Sequence, residues 1–599
     1  MWRETTMAGQ PFAANPLSKT SYPLQWLVVF VDPTTFLDLM ILVHLFIAGV
    51  GMWRWAKVLG LRLESIVVAT LAFVFAPRMV GHLAAGHLDI VYALAWWPWL
   101  MLCLHQLFKA SDVGWYSGLQ FGMVTALILL ADVRVSFFAF LTSVTYLGLI
   151  LRSEVTRSTI RYLVWGGLVS LVLTLAFIVP LGLWQPYLSR SAMTLNDAGA
   201  LSLEIGQFIG IFLPANHSAV EALTYIGLPV LVLAVIGWLT RPRQQRIIGL
   251  VIILLIVLYA LGTNAFLWPF LANIFSPLRW FRVPSRAWLV LVMLIPVMAG
   301  YGLQWVLDRV DDLKLHRFFP GLSRVRLILT SWIALSVLLG IFGLVALPNP
   351  ISGLVVLISG TATGLLILLS FSQRVSTQRM VVLFVAIICF DLFVTGFQWL
   401  EWRSPNYWLA PQVPLAERLV ELGTDRIYSP TFSLEQQVAE VYGLKMFGGV
   451  DPFQLEGVTQ AVADGSGIPV THYEVVLPPL TGVESDTDIA EANKDARINS
   501  EVLGKWHVSH IVAAYPIDNP RLQIVDQIQR IFIYRNLDYV VSPVVGAVPN
   551  WPDGWSGLPD VNKVQNFNQI TILMTLISGI AWILCLVFIV YGLRSKFDG

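Results

Sequence analysis

The chain has 599 residues, of which 56% are hydrophobic and only 13% are charged, and its formal net charge is +1. A mean hydropathy of +0.71 is typical of an integral membrane protein and excludes a purely soluble enzyme. A nearly balanced charge without a basic soluble surface also argues against nucleic acid as a partner.

Thirteen apolar stretches are each long enough to cross a bilayer, whose hydrocarbon core of about 30 Å needs roughly 20 helical residues. They lie at residues 35–54, 65–82, 88–107, 114–131, 135–151, 161–183, 226–240, 246–262, 284–305, 325–346, 350–371, 379–398 and 568–592. The first twelve predict a transmembrane body over residues 35–398. The thirteenth predicts a final helix with a cytoplasmic tail over residues 568–599.

Lys and Arg residues alternate between the connecting segments and so orient the predicted spans. One set of segments holds 19 basic residues, and the opposite set of short segments holds about seven. The positive-inside rule places the first set and the C-terminus in the cytoplasm, and residues 1–34 outside as part of a first extracytoplasmic loop. Residues 1–32 do not resemble a signal peptide. Two explanations stay open: a helix and loop precede this start, or the tail is translocated unaided.

Residues 399–567 follow a span that runs outward and predict an extracytoplasmic soluble domain before the last helix. They contain 21 acidic and 11 basic residues, against 16 and 27 in the rest of the chain. The pattern predicts a small α+β domain, and residues 435–446 fit either a strand or a helix. Its helices are expected at 416–422 and 499–506, and its strands at 426–429, 510–515, 522–525 and 530–534.

Polar residues gather where the predicted spans reach the outer side, although a charged side chain inside a span costs a few kcal/mol or more. Guanidinium groups bind phosphate oxygens in pairs, and a carboxylate or imidazole can serve as a general base. The pattern therefore suits a phosphate-bearing ligand with an apolar tail. The candidates are His82, His87, Asp89, Asp132, Arg134, Arg190, Arg282 and Arg286.

Structural roles explain several of these candidates equally well. Asp132 and Arg134 fit a structural ion pair, and His82 and His87 fit helix capping or an interfacial position. Motifs of other enzyme classes are absent from the sequence: it contains no GxxxxGK[ST], HExxH, CxxC or GxSxG. No set of metal ligands is visible either.

Several segments resemble bacterial YfhO-like membrane proteins of the GT-C superfamily, whose members are polytopic glycosyltransferases that use lipid-linked sugars. The similar blocks include GQPFAANPLSKTSYP from residue 9, GHLAAGHLDIVYALAWWPW from residue 81 and FRVPSRAW from residue 281. The resemblance implies a GT-C-like bundle with an outer loop that carries a catalytic acid. In that family the acid precedes the Gly-x-Pro block, where this chain has only Glu4, so a helix and an acid upstream are expected.

The resemblance implies inverting transfer of a sugar from a polyprenyl-phosphate-linked donor to a cell-envelope glycan or lipid on the outer face. The carboxylate that activates the acceptor hydroxyl would then be either the expected upstream acid or one of Asp89 and Asp132. GT-C enzymes differ in their use of a divalent metal ion, and no other cofactor is expected. The alternative is a non-catalytic transporter or presenter of lipid-linked glycans, which needs cationic contacts but no general base. The substrate contacts would come from His82, His87, Arg134, Arg190, Arg282 and Arg286.

Overall fold

The computed structural model describes residues 2–109, 114–148, 155–214, 219–316, 322–404, 407, 409–482, 486–541, 551–552 and 554–597. The α-helices, numbered in chain order, are α1 (Pro33–Val58), α2 (Leu63–Val74), α3 (Pro77–Ala84), α4 (Leu88–Lys109), α5 (Trp115–Ala131), α6 (Val133–Tyr146), α7 (Arg157–Trp184), α8 (Leu195–Ala198), α9 (Leu228–Leu239), α10 (Arg243–Ala260), α11 (Leu267–Ile274), α12 (Leu289–His316), α13 (Leu322–Ala346), α14 (Pro350–Phe371), α15 (Thr377–Phe397), α16 (Val413–Glu421), α17 (Gln436–Val441), α18 (Glu456–Ser466), α19 (Ser500–Lys505) and α20 (Val561–Phe597). The strands are β1 (Trp2–Arg3), β2 (Gln10–Pro11), β3 (Arg426–Tyr428), β4 (Lys445–Met446), β5 (Gly449–Val450), β6 (Val476–Leu477), β7 (Val508–Ala513), β8 (Leu522–Ile528) and β9 (Ile531–Asn536).

Each of the thirteen predicted spans falls on helix, although residues 149–151 of the fifth lie outside the described residues. The second span is divided, because Pro77 at the start of α3 cannot continue the hydrogen bonding of α2. Within the described residues, ten helical segments are long and apolar enough to cross a membrane, whereas α5, α6 and α9 are shorter. The chain is therefore a multi-pass membrane protein, and the count of thirteen crossings stays a prediction.

The larger compact unit comprises the described parts of residues 27–172, 199–402 and 584–599. In it α1 packs on α2 and α4, α9 packs on α12, and α13 packs on α14. Its outer surface is apolar, as shown by Phe46, Leu254 and Leu338, which are 72%, 54% and 66% exposed. Helices that are apolar on both their buried and their exposed faces suit a lipid environment.

The contact between α9 and α12 depends on two glycines. A Cβ atom at Gly302 would lie 1.8 Å from the carbonyl oxygen of Leu233, and one at Gly237 would lie 2.1 Å from that of Met298. The two backbones can approach this closely only because neither glycine has a side chain. Small residues at crossing points are a common means of packing helices in membranes, where the hydrophobic effect does not drive helices together.

The smaller compact unit comprises the described parts of residues 1–26, 173–198 and 403–583. Its main sheet has the strand order β4-β3-β7-β9-β8, with β3 parallel to β4 and β7, and β9 antiparallel to β7 and β8. The helices and strands predicted here from the sequence are confirmed. The ambiguous segment 435–446 contains both elements, since α17 leads through a turn into β4.

The N-terminal segment is part of this smaller unit. The N–H of Met446 in β4 donates to the carbonyl oxygen of Thr5 at 2.9 Å, and the N–H of Ala8 donates to the carbonyl oxygen of Met446 at 3.0 Å. The buried amides of Gln10 and Asn15 donate to Asp451 Oδ2 at 3.1 and 2.9 Å. The unit therefore gathers residues from all four predicted segments, 1–34, 35–398, 399–567 and 568–599. Backbone pairing contributes to this, because it joins segments that are distant in sequence.

Gly302 and Gly167 provide a test of helix packing. Gly302→Ala should destabilise the larger unit by roughly 1–3 kcal/mol, because its Cβ overlaps backbone atoms that cannot move aside locally. Gly167→Ala in α7 is the matched control, since a Cβ there meets nothing within 4 Å. It should be neutral or stabilising by up to about 1 kcal/mol. Equal thermal stability of the two purified variants would contradict the close packing of α9 and α12.

His510 on β7 should make the protein sensitive to acid. Burial lowers the pKa of His510 from 6.5 to about 4, and Arg535 adds to the effect. Between pH 6.5 and about 4 the unfolded chain is protonated at this histidine and the folded chain is not. The free energy of unfolding therefore falls as the pH drops through this range. The loss of thermal stability between pH about 7 and pH about 5 should be smaller in His510→Gln than in the wild type. The exposed control His472→Gln should behave as the wild type, and an unchanged loss in His510→Gln would refute the assignment.

Candidate functional site

Six of the eight predicted site residues come together at helix ends in the larger unit. His82 lies in the last turn of α3, His87 and Asp89 lie at the start of α4, and Arg134 lies in the first turn of α6. Asp132 is the residue immediately before α6. Arg286 lies in a short 3-10 helix, Pro284–Trp288, which leads into α12. Loops and helix ends thus supply all of these side chains.

Arg134 pairs with two carboxylates. Its guanidinium contacts Asp89 Oδ2 and Asp132 Oδ2, and its Nε lies 2.9 Å from Asp132 Oδ2. Asp132 also caps α6, since its Oδ1 accepts the backbone N–H groups of Arg134 and Val135 at 2.7 and 2.9 Å. The two carboxylates are buried, and only the Arg134 side chain, 20% exposed, reaches solvent appreciably. Asp132 is therefore held by its capping role as well as by its charge.

A second group of contacts centres on Glu221, which the sequence analysis did not single out. Glu221 lies in a 3-10 helix, Val220–Ala222, and its Oε1 accepts a hydrogen bond from Arg286 Nη2 at 3.1 Å. The same oxygen lies 3.9 Å from His87 Nδ1, and His87 Nδ1 lies 3.1 Å from His82 Nδ1. One ligand atom of each of His82, His87 and Glu221 lies within 4.8 Å of the other two, so these residues could hold a metal ion.

Arg78 is the other residue that the sequence analysis missed. It is fully buried in α3, and its guanidinium donates to the carbonyl oxygens of Glu221, Leu223 and Ser285 at 2.9, 3.1 and 3.0 Å. It thereby fixes the loop with Glu221 and the segment before α12 against α3. A signal existed, because an arginine inside a predicted span is expensive and is a functional candidate by default. Glu221 gave no such signal, because it lies in the long loop of residues 184–225 between two predicted spans.

The cluster is balanced in formal charge. Its members are Arg78, His82, His87, Asp89, Asp132, Arg134, Glu221 and Arg286. The three guanidinium groups equal the three carboxylates in number, and buried charges are tolerated when they are balanced in this way.

Burial and neighbouring charges also set the proton affinities of the loop residues in the cluster. Burial lowers the pKa of His87. Burial alone would raise the pKa of Glu221, but Arg286, His87 and Arg78 hold it below its usual value.

Some buried polar atoms in this cluster and in the adjoining Ser285 have no hydrogen-bond partner in the described part of the chain. They are His82 Nε2, Ser285 Oγ and the Nε atoms of Arg78 and Arg286. Burying such groups without a partner costs free energy, so they are suited to contact a polar ligand.

The other two predicted residues occupy different surroundings. Arg282 is half-buried in the segment between Trp280 and Pro284. Arg190 belongs to the smaller unit, where its Nε donates to the Tyr473 hydroxyl at 3.0 Å and to the carbonyl oxygen of Pro452 at 3.2 Å. A ligand-binding role for either arginine stays a prediction.

Comparison with known proteins gives structural similarities only. No family model matches the chain, and no curated protein matches it significantly. It is similar to arabinofuranosyltransferase AftD from Mycobacteria, with a TM-score of 0.48, 14% identity, and coverage of 89% of this chain and 36% of AftD. It is also similar to ArnT from Cupriavidus metallidurans bound to undecaprenyl phosphate, with a TM-score of 0.38, 12% identity, and coverage of 90% of both chains.

This chain thus spans about a third of the length of AftD. The resemblance to YfhO-like proteins of the GT-C superfamily stays a prediction from the sequence.

A comparison of Asp132 with Asp32 separates the contribution of helix capping to stability from that of the ion pair between Asp132 and Arg134. Asp32 caps α1 in the same way, accepting the N–H groups of Thr34 and Thr35, but it is exposed. Since asparagine caps helices about as well as aspartate, Asp32→Asn should change stability by only a few tenths of a kcal/mol. Asp132→Asn should cost roughly 1–3 kcal/mol, because Arg134 loses one of its buried charged partners. Equally mild effects in thermal unfolding would mean that the Arg134 pair contributes nothing to stability.

Proposed function

We propose that this chain is a GT-C-type glycosyltransferase that transfers a sugar from a polyprenyl-phosphate-linked donor to a cell-envelope glycan or lipid on the outer face of the membrane. The observation that carries the proposal is the buried cluster of three guanidinium groups, three carboxylates and two imidazoles at the ends of membrane helices. Guanidinium groups bind phosphate through paired hydrogen bonds, and the surrounding apolar helices suit a polyprenyl chain.

The proposed step needs a base for the acceptor hydroxyl. The acceptor oxygen forms a bond to the anomeric carbon, the bond from that carbon to the phosphate oxygen breaks, and polyprenyl phosphate leaves with the electron pair. The hydroxyl proton passes to a carboxylate. Asp89 suits this role better than Asp132, because its side chain is 10% exposed against 1%, and because the Oδ1 of Asp132 already accepts two backbone N–H groups.

The leaving phosphate needs positive charge that is already in place. Arg134 is paired with Asp89 and is the most exposed of the three arginines, with 20% of its side chain accessible against 9% for Arg286. A guanidinium held rigidly beside the base stabilises charge that develops on the phosphate without reorganising during the reaction. Arg286 adds positive charge to the same cluster, and Arg282 is a further candidate for the donor phosphate.

Variants of the full-length protein should lose sugar transfer without losing binding of the lipid phosphate. Wild-type protein in detergent is incubated with a panel of synthetic farnesyl-phosphate pentoses and hexoses and with a cell-envelope extract that supplies the acceptor hydroxyl, and the release of farnesyl phosphate is followed by mass spectrometry. Asp89→Asn should lower release by at least about 100-fold, the usual scale for a general base, while binding of undecaprenyl phosphate is retained. Asp132→Asn should keep most of the activity.

Asp312→Asn is the control for the loss of an acidic charge. Asp312 is exposed, and its one ion pair within the described residues is with Arg309. It should match the wild type in both release and binding. If Asp89→Asn kept the wild-type rate, Asp89 would not be the base. If the wild type bound the lipid phosphate but released nothing from any donor, the non-catalytic transporter or presenter would replace the transferase.

A further inference from the structure

Two imidazoles and one carboxylate converge at the turn between α3 and α4. The Nδ1 atoms of His82 and His87 lie 3.1 Å apart, and Glu221 Oε1 lies 3.9 Å from His87 Nδ1. One ligand atom of each of the three residues lies within 4.8 Å of the other two. From this geometry we propose that His82, His87 and Glu221 bind one divalent transition-metal ion of the zinc class.

The separations fit an ion held at one point. A tetrahedral zinc ion with Zn–N bonds of about 2.0–2.1 Å sets its nitrogen ligands about 3.3 Å apart. The observed distance of 3.1 Å between the two Nδ1 atoms is close to this value, and Glu221 Oε1, 3.9 Å from His87 Nδ1, would move closer to the histidines on binding. Two nitrogen ligands and one carboxylate also form the kind of three-residue set that catalytic zinc sites use, with a fourth position left for a substrate or water.

The nature of the ligands selects among divalent ions. Imidazole nitrogen suits zinc and other late transition metals, whereas magnesium and calcium prefer sets made only of oxygen. The site therefore differs from a purely carboxylate site for magnesium or calcium. Manganese lies between the two classes and is expected to bind more weakly than zinc.

The surroundings hold the ligands in place. Arg286 Nη2 donates to the same Glu221 oxygen that faces His87, and Arg78 Nη2 donates to the backbone carbonyl oxygen of Glu221 at 2.9 Å. Hydrogen bonds of this kind orient ligating carboxylates and are part of many metal sites. The cluster also contains the carboxylates of Asp89 and Asp132. Their negative charge reduces the repulsion between the bound ion and the two arginines.

The turn that brings the histidines together depends on its backbone. The N–H of His87 donates to the carbonyl oxygen of His82 at 2.9 Å, which closes the turn. Gly86, immediately before His87, has φ +72°, a conformation that favours glycine. His82 is fully buried, whereas the His87 side chain is 36% exposed, so the ion would be reached from the side of His87.

The proposed metal site lies in the cluster used for the proposed function, but it is argued from ligand geometry alone. The metal site and the glycosyl transfer can therefore be disproved independently. The direct test measures metal content without any reaction. Full-length protein in detergent is stripped with a chelator, reloaded with ZnCl2, passed through a desalting column and analysed by inductively coupled plasma mass spectrometry. The wild type should retain about one zinc per chain, and His87→Ala and Glu221→Gln should retain almost none.

Matched controls exist for both variants. Glu204→Gln removes an exposed acid from the same long loop as Glu221, and His472→Ala removes an exposed histidine. Both should retain zinc as the wild type does. Reloading with CoCl2 gives a second readout, since a cobalt ion bound to this set should show the strong visible absorption of tetrahedral coordination, absent in His87→Ala. His87 is half-exposed, so this variant should fold even if variants at buried His82 do not.

Two outcomes would overturn the inference. Wild-type protein that retains no more zinc than Glu221→Gln, and shows no cobalt spectrum, has no such site and holds a hydrogen-bonded histidine pair instead. Zinc retained equally by all variants would place the ion elsewhere. If the wild type bound zinc but released no farnesyl phosphate, the proposed transfer would be wrong and the metal site would be supported. If it released farnesyl phosphate but bound no zinc, only the metal site would be wrong.

Discussion

The candidate site depends on the pairing of charges where water is scarce. A guanidinium or carboxylate buried near a membrane without a partner costs several kcal/mol, so each charged group in the cluster needs a partner of opposite sign or a set of hydrogen bonds. Arg134 is paired with Asp89 and Asp132, and Arg286 is paired with Glu221. Charge balance therefore constrains which residues can meet at these helix ends.

Arg78 satisfies the same constraint in a different way. It has no carboxylate within salt-bridge distance among the described residues, and it donates to three backbone carbonyl oxygens instead. Because those carbonyls belong to the loop of Glu221 and to the segment before α12, this buried arginine also determines where Glu221 and Arg286 lie. Removal of Arg78 would thus disturb the site without touching a ligand directly.

The smaller unit is held together by pairing of segments that are far apart in sequence. The N-terminal segment pairs with β4, and the buried amides of Gln10 and Asn15 surround the carboxylate of Asp451. Backbone groups near Thr5 and Ala8 would otherwise need water, so this pairing explains why the segment is buried within an α+β unit. The boundaries of such a unit follow hydrogen bonding in three dimensions, and they differ from the composition shifts that guided the sequence analysis.

The sequence by itself determined the helical membrane architecture, because long apolar runs have one stable form in a bilayer, where backbone groups must bond internally. It also determined that polar residues such as His82, Asp89 and Asp132 gather at helix ends, since turns are where charge is tolerated. Only the tertiary structure decided which of them meet. Glu221 reaches His87 because Arg78 draws a distant loop onto α3, and no periodicity or spacing along the chain encodes a contact between residues so far apart.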